Sequence, residues 1–228
     1  MAVRRSDTPD FSWERFTAMP LVGILRNLSA ADLDEILPIY QQAGLTTMEI
    51  TMNTPGAPAM IRRTLDRYAG SLNIGAGTVC TPADLNEALE AGAQFIVTPI
   101  VNPAVIRACV EQGVPVFPGA FSPSEIYRAW ALGATMVKVY PAGTLGPDYL
   151  KQVKAPLNQI KLLPTGGITR QTMEHYFRAG ADGVGMGSPL FLPEYIQARN
   201  WPALSVHFQA IVQAIRASRP PDVSVITP

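Results

Sequence analysis

The sequence predicts a single-domain (β/α)8 barrel, and two observations carry that prediction. Helix-like stretches repeatedly reach a glycine and then enter an apolar strand, at Gly44, Gly92, Gly113, Gly133 and Gly180. A glycine there fits a left-handed helix C-cap, which residues with a Cβ adopt only at a cost. Strands that alternate with helices imply parallel pairing, because parallel neighbours need crossover connections. Eight such units in 228 residues are typical of a compact (β/α)8 barrel.

The predicted elements follow one another without a linker. A short amphipathic helix at residues 10–18 is expected to cover the N-terminal end of the barrel. Residues 202–217 carry apolar side chains at helical spacing and form the last outer helix. We expect one domain over residues 1–228, with the barrel at about 20–218 and a proline-rich tail at 219–228. The eight strands are predicted at residues 21–26, 46–51, 73–79, 93–99, 114–119, 134–141, 160–166 and 181–187.

Composition and charge narrow the function classes. Apolar residues make up 47% of the chain, which suffices for one sizeable core. Basic and acidic residues number 18 each, so no net field favours a nucleic acid or an anionic membrane. No apolar run is long enough to span a bilayer, and the start lacks the hydrophobic segment of a signal peptide. We expect a cytoplasmic protein in which Cys80 and Cys109 are reduced thiols.

Lys138 is the only charge within the apolar run from Ala134 to Ala142. Side chains in a strand alternate between faces, so Met136, Lys138 and Tyr140 point one way and the intervening valines the other. Burial disfavours the ammonium form and lowers the pKa of such a lysine, and a neutral amine is a nucleophile toward a carbonyl carbon. The alternative is a lysine that extends from the strand end into solvent.

Glu49 is a second charge inside an apolar strand, between Met48 and Ile50. Two interpretations stay open. Glu49 and Lys138 form a buried structural ion pair, or they are a general acid/base and a nucleophile that share one cavity and tune each other's pKa.

Glycines end the seventh and eighth strands, where (β/α)8 barrels commonly bind phosphate. Backbone amides can approach an anion closely there, and the following helix N-termini are expected to add donors and a favourable dipole. Tight turns are the alternative. Arg26, at the end of the first strand, could supply a charge to a carboxylate or phosphate. The candidate phosphate site consists of Gly166, Gly167, Gly187 and Ser188.

No metal or organic cofactor is predicted. His175 and His207 lie on outer helix patterns, and no pair of inward carboxylates accompanies Glu49. No dinucleotide-binding fingerprint follows the first strand. The lysine is therefore expected to carry the chemistry without a cofactor.

Seven strand-end motifs follow in order between about residue 20 and residue 192. They are Glu49-Ile50-Thr51, Gly75-Ala76-Gly77-Thr78-Val79, Val97-Thr98-Pro99, Phe117-Pro118-Gly119, Lys138-Val139-Tyr140-Pro141-Ala142, Pro164-Thr165-Gly166-Gly167 and Gly187-Ser188. Together they resemble the KHG/KDPG aldolase family. The resemblance implies class I aldol cleavage of a phosphorylated keto acid to pyruvate and a phosphorylated aldehyde, usually by a homotrimer.

The resemblance also implies roles for single residues. Lys138 matches the Schiff-base lysine and Glu49 the general acid/base. Gly166, Gly167, Gly187 and Ser188 match the phosphate site. Arg26 and Thr78 match residues near the pyruvate carboxylate, with Thr98 and Pro99 lining the same pocket. Tyr140 stands where the family commonly has phenylalanine, and its phenol could hydrogen-bond the substrate or keep the ring packing.

Two positions point to different branches of the family. Phosphogluconate-type members usually carry arginine four residues after the glutamate, and Asn53 at that position is closer to the phosphogalactonate type. Thr165 favours the phosphogluconate type, which typically shows PTGG. The configuration of the substrate at C4 stays open between the two.

Three other functions remain in view. A lyase for unphosphorylated 4-hydroxy-2-oxoglutarate, giving pyruvate and glyoxylate, would use the same lysine. A lysine-independent phosphosugar isomerase or epimerase would need only the barrel and the phosphate site. A non-enzymatic phosphate-binding barrel would bind ligand without forming an imine.

Overall fold

The chain folds into a parallel barrel surrounded by helices. The computed structural model describes residues 8–218, so the predicted tail at 219–228 lies outside the described residues. The strands are β1 (Leu21–Leu25), β2 (Thr47–Thr51), β3 (Asn73–Gly77), β4 (Ile96–Val97), β5 (Val116–Phe117), β6 (Gly119–Ala120), β7 (Val137–Val139), β8 (Leu162–Pro164) and β9 (Val184–Met186). The helices are α1 (Trp13–Ala18), α2 (Ala30–Ala43), α3 (Ala57–Tyr68), α4 (Pro82–Glu90), α5 (Pro103–Glu111), α6 (Pro123–Ala131), α7 (Ala142–Lys154), α8 (Met173–Arg178), α9 (Pro193–Gln197) and α10 (Trp201–Ser218).

Parallel pairing joins these segments into eight barrel strands. Six pair in the order β5-β4-β3-β2-β1-β9, and three pair as β6-β7-β8. β5 and β6 are two halves of one strand that is interrupted at Pro118, whose nitrogen has no hydrogen to donate. A bridge from Thr165 to Gly185 connects the end of β8 with β9 and closes the ring. The predicted (β/α)8 barrel is confirmed, although several strands are shorter than predicted.

The glycines predicted to end helices have the expected backbone conformation. All five lie in the left-handed region, with φ of 92° at Gly44, 95° at Gly92, 66° at Gly113, 95° at Gly133 and 96° at Gly180. The amide of Gly44, for example, donates to the carbonyl of Gln41 at the end of α2. Each glycine thus turns the chain from an outer helix into the next barrel strand.

Aromatic side chains fill the N-terminal half of the barrel interior. The predicted helix at 10–18 appears as α1, and its Phe16 packs with Phe11 beneath the strands. The Phe11 ring centroid lies 5.2 Å from that of Phe95 and 6.1 Å from that of Phe117. We call these rings, with Val22, Val97, Met136 and Leu163, the lower cluster. The polar side chains that point into the barrel lie at its opposite, C-terminal end.

The outer helices cover the barrel and supply the rest of the core. α10, predicted at 202–217, spans Trp201–Ser218 and packs against α2 and α8. Its buried side chains include Phe208, whose ring centroid lies 5.5 Å from that of Tyr40 on α2. Within residues 8–218, no helix has both the length and the apolar character that a membrane span requires.

Candidate active site

β7 places the amine of Lys138 inside the barrel. Val137 and Val139 belong to the core beneath the outer helices, whereas Met136 joins the lower cluster, as the alternation of strand faces predicts. Lys138 is only 5% exposed. Its Nζ lies 5.3 Å from the centroid of the Tyr140 ring. The lysine is therefore held within the C-terminal end of the barrel and does not extend into solvent.

Glu49 lies in β2, paired with Ile24 of β1 and Gly75 of β3. It is 1% exposed, and neither carboxylate oxygen has a hydrogen-bond partner within the described chain. The carboxylate therefore does not hydrogen-bond the Lys138 amine, which argues against a closed structural ion pair. Buried polar atoms are nearly always bonded in folded proteins, so a buried carboxylate without a partner is a candidate functional group.

Burial and mutual charge shift the pKa of both groups. Burial raises the pKa of the Glu49 carboxyl, and the positive charges of Lys138 and Arg26 partly oppose that rise. Burial also lowers the pKa of the Lys138 amine; the Glu49 carboxylate and the Cys80 thiol oppose this shift, and Arg26 adds to it. Both shifts favour the uncharged forms, which are a nucleophilic amine and a carboxylic acid that can donate a proton.

A cavity of about 690 Å³ opens beside Lys138 at the C-terminal end of the barrel. Its outer walls come from the connection between β1 and α2 and from the segment that contains α9. A cavity of this size is typical of small-molecule sites. It brings together eight of the predicted site residues: Arg26, Lys138, Tyr140, Thr165, Gly166, Gly167, Gly187 and Ser188.

Two consecutive left-handed residues shape the loop after β8. Gly166 has a φ of 85° and Gly167 a φ of 78°, a region that favours glycine. A Cβ on Gly166 would lie 3.1 Å from the Tyr140 ring, so the loop packs tightly against the end of β7. Among residues 8–218, neither the amide of Gly167 nor that of Ser188 donates a hydrogen bond to a backbone carbonyl. These amides can donate hydrogen bonds to an anion. We call Gly166, Gly167, Gly187 and Ser188 the glycine loops.

The helices after the glycine loops differ from the expectation. We expected helix N-termini to add donors and a dipole at this place. α8 instead begins only at Met173 and α9 only at Pro193, and both helices are short. An anion at the glycine loops would therefore depend on loop amides and side chains, because a helix dipole acts only within its first turn.

Five predicted residues do not line the cavity. Glu49 lies buried in β2, and the other four are Thr78, Thr98, Pro99 and Asn53. Thr78 is half-buried at the end of β3 and has a φ of 57°. Thr98 is fully buried, and its hydroxyl donates to the carbonyl of Ile100. Pro99 is half-buried beside it, and Asn53 is exposed in the turn between β2 and α3. The roles of these four residues stay predictions.

The described chain offers little for a metal. No group of three or more histidine, cysteine, aspartate or glutamate side chains within residues 8–218 could hold an ion. His175 is exposed on α8, and the Nε2 of His207 on α10 lies 2.9 Å from the carbonyl oxygen of Pro189. Cys80 and Cys109 are free thiols, and burial raises the pKa of Cys109 to about 12.

Two residues at the site were not predicted from the sequence. A Cβ on Gly77 would lie 2.3 Å from Oε1 of Glu49, so this glycine makes room for the carboxylate. Gly77 stands in a motif, but only the pairing of β2 with β3 shows what it faces. Arg199 lines the cavity together with Asp32 and Gln197, and no sequence pattern marks it.

Comparison with known proteins adds to this geometry. The family model described as "KDPG and KHG aldolase" matches residues 14–206. The chain is 34% identical over 176 residues to the 2-dehydro-3-deoxy-6-phosphogalactonate aldolase of Escherichia coli K12, which covers 77% of this chain and 86% of the relative. It is 37% identical over 164 residues to the 2-dehydro-3-deoxy-phosphogluconate aldolase of Treponema pallidum, covering 72% of this chain and 76% of the relative.

Solved structures give the same result. A native KDPGal structure superposes with a TM-score of 0.83 at 30% identity and covers 92% of this chain and 98% of its own. KDPG aldolase from Legionella pneumophila, with pyruvate captured as a covalent carbinolamine intermediate, superposes with a TM-score of 0.81 at 27% identity. The match covers 88% of this chain and 97% of that structure's chain. Fold, cavity and sequence therefore agree, and this chain belongs to the KDPG and KHG aldolase family.

Proposed function

We propose that this chain is a class I aldolase that cleaves a 2-keto-3-deoxy-6-phospho sugar acid to pyruvate and glyceraldehyde 3-phosphate. Family membership supports a carbon-carbon lyase of the pyruvate-dependent type. One observation carries the proposal: a buried lysine amine lies in the electrostatic field of a buried carboxylate that has no hydrogen-bond partner within residues 8–218. A lysine-independent isomerase would have no use for such an amine.

Lys138 starts the reaction as a nucleophile. Its neutral Nζ attacks the C2 ketone of the substrate and forms a carbinolamine, which loses water to give an iminium. Glu49 transfers the protons of this step, directly or through a water. The raised pKa of Glu49 suits this role, because a carboxyl group that keeps its proton nearer to neutral pH can act as a general acid.

Cleavage then follows from the positive iminium nitrogen. The electrons of the C3–C4 bond move toward that nitrogen and leave a lysine-bound enamine, while Glu49 accepts the proton of the C4 hydroxyl and the aldehyde departs. Protonation of the enamine at C3 restores the iminium. Water hydrolyses the iminium to pyruvate and the free lysine.

The remaining predicted residues bind and orient the substrate. Arg26 lines the cavity close enough to influence Lys138 and Glu49, which suits a partner of the pyruvate carboxylate. Tyr140 lines the same cavity, and we assign it a supporting contact with the substrate. The resemblance places Thr78, Thr98 and Pro99 near the pyruvate carboxylate, although none of the three lines the cavity. The glycine loops hold the phosphate. A phosphate far from the reacting carbon serves mainly to orient the substrate.

The trapping experiment for this function uses pyruvate and borohydride. Intact-protein mass spectrometry should show one reduced pyruvyl adduct, and peptide mapping should locate it on Lys138. No adduct in folded protein would refute the imine mechanism and favour an isomerase or a binding protein.

The substrate branch is tested with the two C4 epimers. Relatives named for the phosphogalactonate and for the phosphogluconate acid match at 34% and 37% identity, so both acids are substrate candidates. The ratio of kcat/KM for the two epimers assigns the branch. Unphosphorylated 4-hydroxy-2-oxoglutarate should be cleaved far less efficiently, since it cannot use the glycine loops.

A homotrimer is the assembly that we propose. Large apolar side chains are exposed on α5 and α6, namely Val110, Tyr127 and Trp130. The rings of Tyr127 and Trp130 lie 5.6 Å apart. Exposed apolar patches of this kind mark contact surfaces. A structural neighbour with a TM-score of 0.81 is part of a cage designed by fusing symmetric oligomeric domains.

Light scattering tests the trimer and should give the mass of three chains. Trp130→Glu should shift that mass toward the mass of one chain. A monomeric wild-type protein would refute the trimer.

The proposed location is the cytoplasm. Cys80 and Cys109 are free thiols, as expected in a reducing compartment. Cell fractionation should recover the protein with the cytoplasmic fraction, and enrichment in a membrane or secreted fraction would contradict this location.

A further inference from the structure

Arg199 lies on the wall of the substrate cavity, yet the reaction described above gives it no part. It follows α9 and lines the same cavity as the glycine loops. Three basic side chains line this cavity, and the other two are Arg26 and Lys138. The one carboxylate in the lining, Asp32, already accepts a hydrogen bond from the hydroxyl of Ser29. Arg199 is thus an exposed cation on the cavity wall whose purpose is unexplained.

The three basic groups lie at two ends of the cavity. Arg26 and Lys138 interact electrostatically with Glu49, at the reacting end. The charges that shift the pKa of Lys138 and Glu49 do not include Arg199. Arg199 follows α9, in the part of the cavity wall that the segment after β9 forms.

The backbone fixes the root of the Arg199 side chain. Its φ of 50° lies in the left-handed region, which costs a residue with a Cβ free energy that a glycine would avoid. Its amide donates to the carbonyl of Ile196, and the amide of Asn200 donates to that of Tyr195, so the turn is fully bonded. Within residues 8–218, the guanidinium makes no ion pair or hydrogen bond.

The glycine loops need a positive charge that they do not contain. A phosphate monoester carries a charge of about −2 near neutral pH, and the loops offer amides and one hydroxyl only. The helices that follow them are too short and begin too far along the chain to contribute a dipole. Arginine matches phosphate oxygens with two parallel donors.

We propose that Arg199 binds the phosphate of the substrate from the outer side of the cavity and determines the preference for phosphorylated over unphosphorylated keto acids. The inference rests on the proposed aldolase function. It divides the cavity into a carboxylate-binding and imine-forming end at Arg26 and Lys138, and a phosphate-binding end at the glycine loops and Arg199.

The test compares Arg199→Gln with Arg170→Gln. Arg170 is exposed after β8 but does not line the cavity, so it controls for the loss of one nearby charge. Arg199→Gln should raise KM for the phosphorylated substrate about 10-fold or more, as expected for one charge-assisted hydrogen bond, and should weaken competitive inhibition by inorganic phosphate similarly. Arg170→Gln should change neither, and Arg199→Lys should restore part of the loss.

Two further readouts separate this role from a structural one. Arg199→Gly relieves the left-handed backbone and removes the charge, so it should match Arg199→Gln; wild-type KM in Arg199→Gly would overturn the proposal. Trapping of pyruvate on Lys138 by borohydride should be as fast in Arg199→Gln as in wild type, because pyruvate carries no phosphate. An equal loss of trapping and of substrate affinity would also overturn it. If wild-type protein forms no imine, the aldolase function itself fails, independently of Arg199.

Discussion

The two halves of the barrel interior differ in chemistry although the same strands build both. Met136, just before β7, packs among the rings of the lower cluster. Lys138 lies two residues further along the same face and is almost as deeply buried. The lower half consists of apolar side chains in mutual contact, whereas the upper half holds a buried amine and a buried carboxylate that are not hydrogen-bonded to each other. One strand therefore changes within two residues from a packed core to a reactive site.

β3 shows the same change through its glycines. A Cβ on Gly75 would lie 2.5 Å from the Phe95 ring, and one on Gly77 would lie 2.3 Å from the Glu49 carboxylate. Both glycines make room in the barrel, Gly75 for the Phe95 ring and Gly77 for the Glu49 carboxylate. Burying charge without a direct partner costs stability, so the lower half must offset what the upper half loses.

The largest expected effect is on turnover in Lys138→Met. Without the amine no imine forms, so cleavage and borohydride trapping should both fall below detection. The fold should persist, and the variant should be at least as stable as wild type, because methionine fills the space without a buried charge.

Thermal unfolding and circular dichroism check the fold of this variant. Lys161→Met is the matched control, since Lys161 lies one residue before β8 and outside the cavity lining. Residual cleavage by Lys138→Met would assign the activity to a mechanism that does not use this lysine.

Glu49→Gln should give the next largest effect. Glutamine keeps the shape of the side chain but cannot transfer the protons of the carbinolamine and of the C4 hydroxyl. We expect turnover to slow by roughly 100-fold or more, with trapping on Lys138 still detectable. Steady-state kinetics measures the first and mass spectrometry the second; a wild-type kcat would remove Glu49 from the mechanism.

Alanine substitution of each glycine of β3 compares the two halves of the barrel interior directly. Gly77→Ala places its Cβ against the end of the Glu49 side chain, which can move, so the fold should survive while kcat falls by about 10-fold or more. The same substitution in the Glu49→Gln background should add little, because the group that it displaces is already inactive.

Gly75→Ala should do the reverse. Its Cβ meets the Phe95 ring, which cannot move because it packs at 5.2 Å against Phe11 and at 5.5 Å against Phe117. Overpacking of this kind costs about 1–3 kcal/mol of stability. Urea unfolding should show that loss, while kcat per folded molecule should stay near wild type. If Gly75→Ala lowered kcat as much as Gly77→Ala, packing in the lower half would affect turnover as strongly as the position of the Glu49 carboxylate does, and the two halves would not act independently.

Local patterns predicted most of the barrel. The glycines at helix ends were predictable because a left-handed C-cap is decided by one residue, and all five have positive φ. The inward direction of Lys138 and Glu49 was predictable because side chains alternate along any strand. The split of one strand at Pro118 also has a local cause, since proline lacks the amide hydrogen that pairing requires.

Features that depend on contacts between distant segments were not predictable. What Gly77 faces depends on the register of β3 against β2. The Thr98 hydroxyl donates to the carbonyl of Ile100 only because of how the chain turns there. The exposure of Asn53 likewise depends on the turn before α3. Arg199 lines the cavity because the segment that contains α9 forms part of the cavity wall, which no period in the sequence encodes.

The smallest expected effect is a change in how stability depends on pH in Glu49→Gln. Burial raises the pKa of the Glu49 carboxyl above its ordinary value of 4.5, so above that pH the folded chain retains a proton that the unfolded chain releases. The stability contributed by this group is therefore complete below pH 4.5 and falls as the pH rises through the folded pKa.

Lys138 contributes with the opposite sign. Burial lowers its pKa, so below the ordinary value of 10.5 the unfolded chain retains a proton that the folded chain releases, and stability rises with pH in that window. The Glu49 charge opposes the lowering of the Lys138 pKa, so removing this charge lowers the pKa of Lys138 further. The pH range over which stability rises then extends to lower pH. The free energy of unfolding of Glu49→Gln relative to wild type should therefore increase as the pH rises from about 4.5. Urea unfolding over a pH series measures this, with the exposed Glu35→Gln as control; a difference that stays constant with pH would mean that the Glu49 carboxylate pays no burial cost in the upper half.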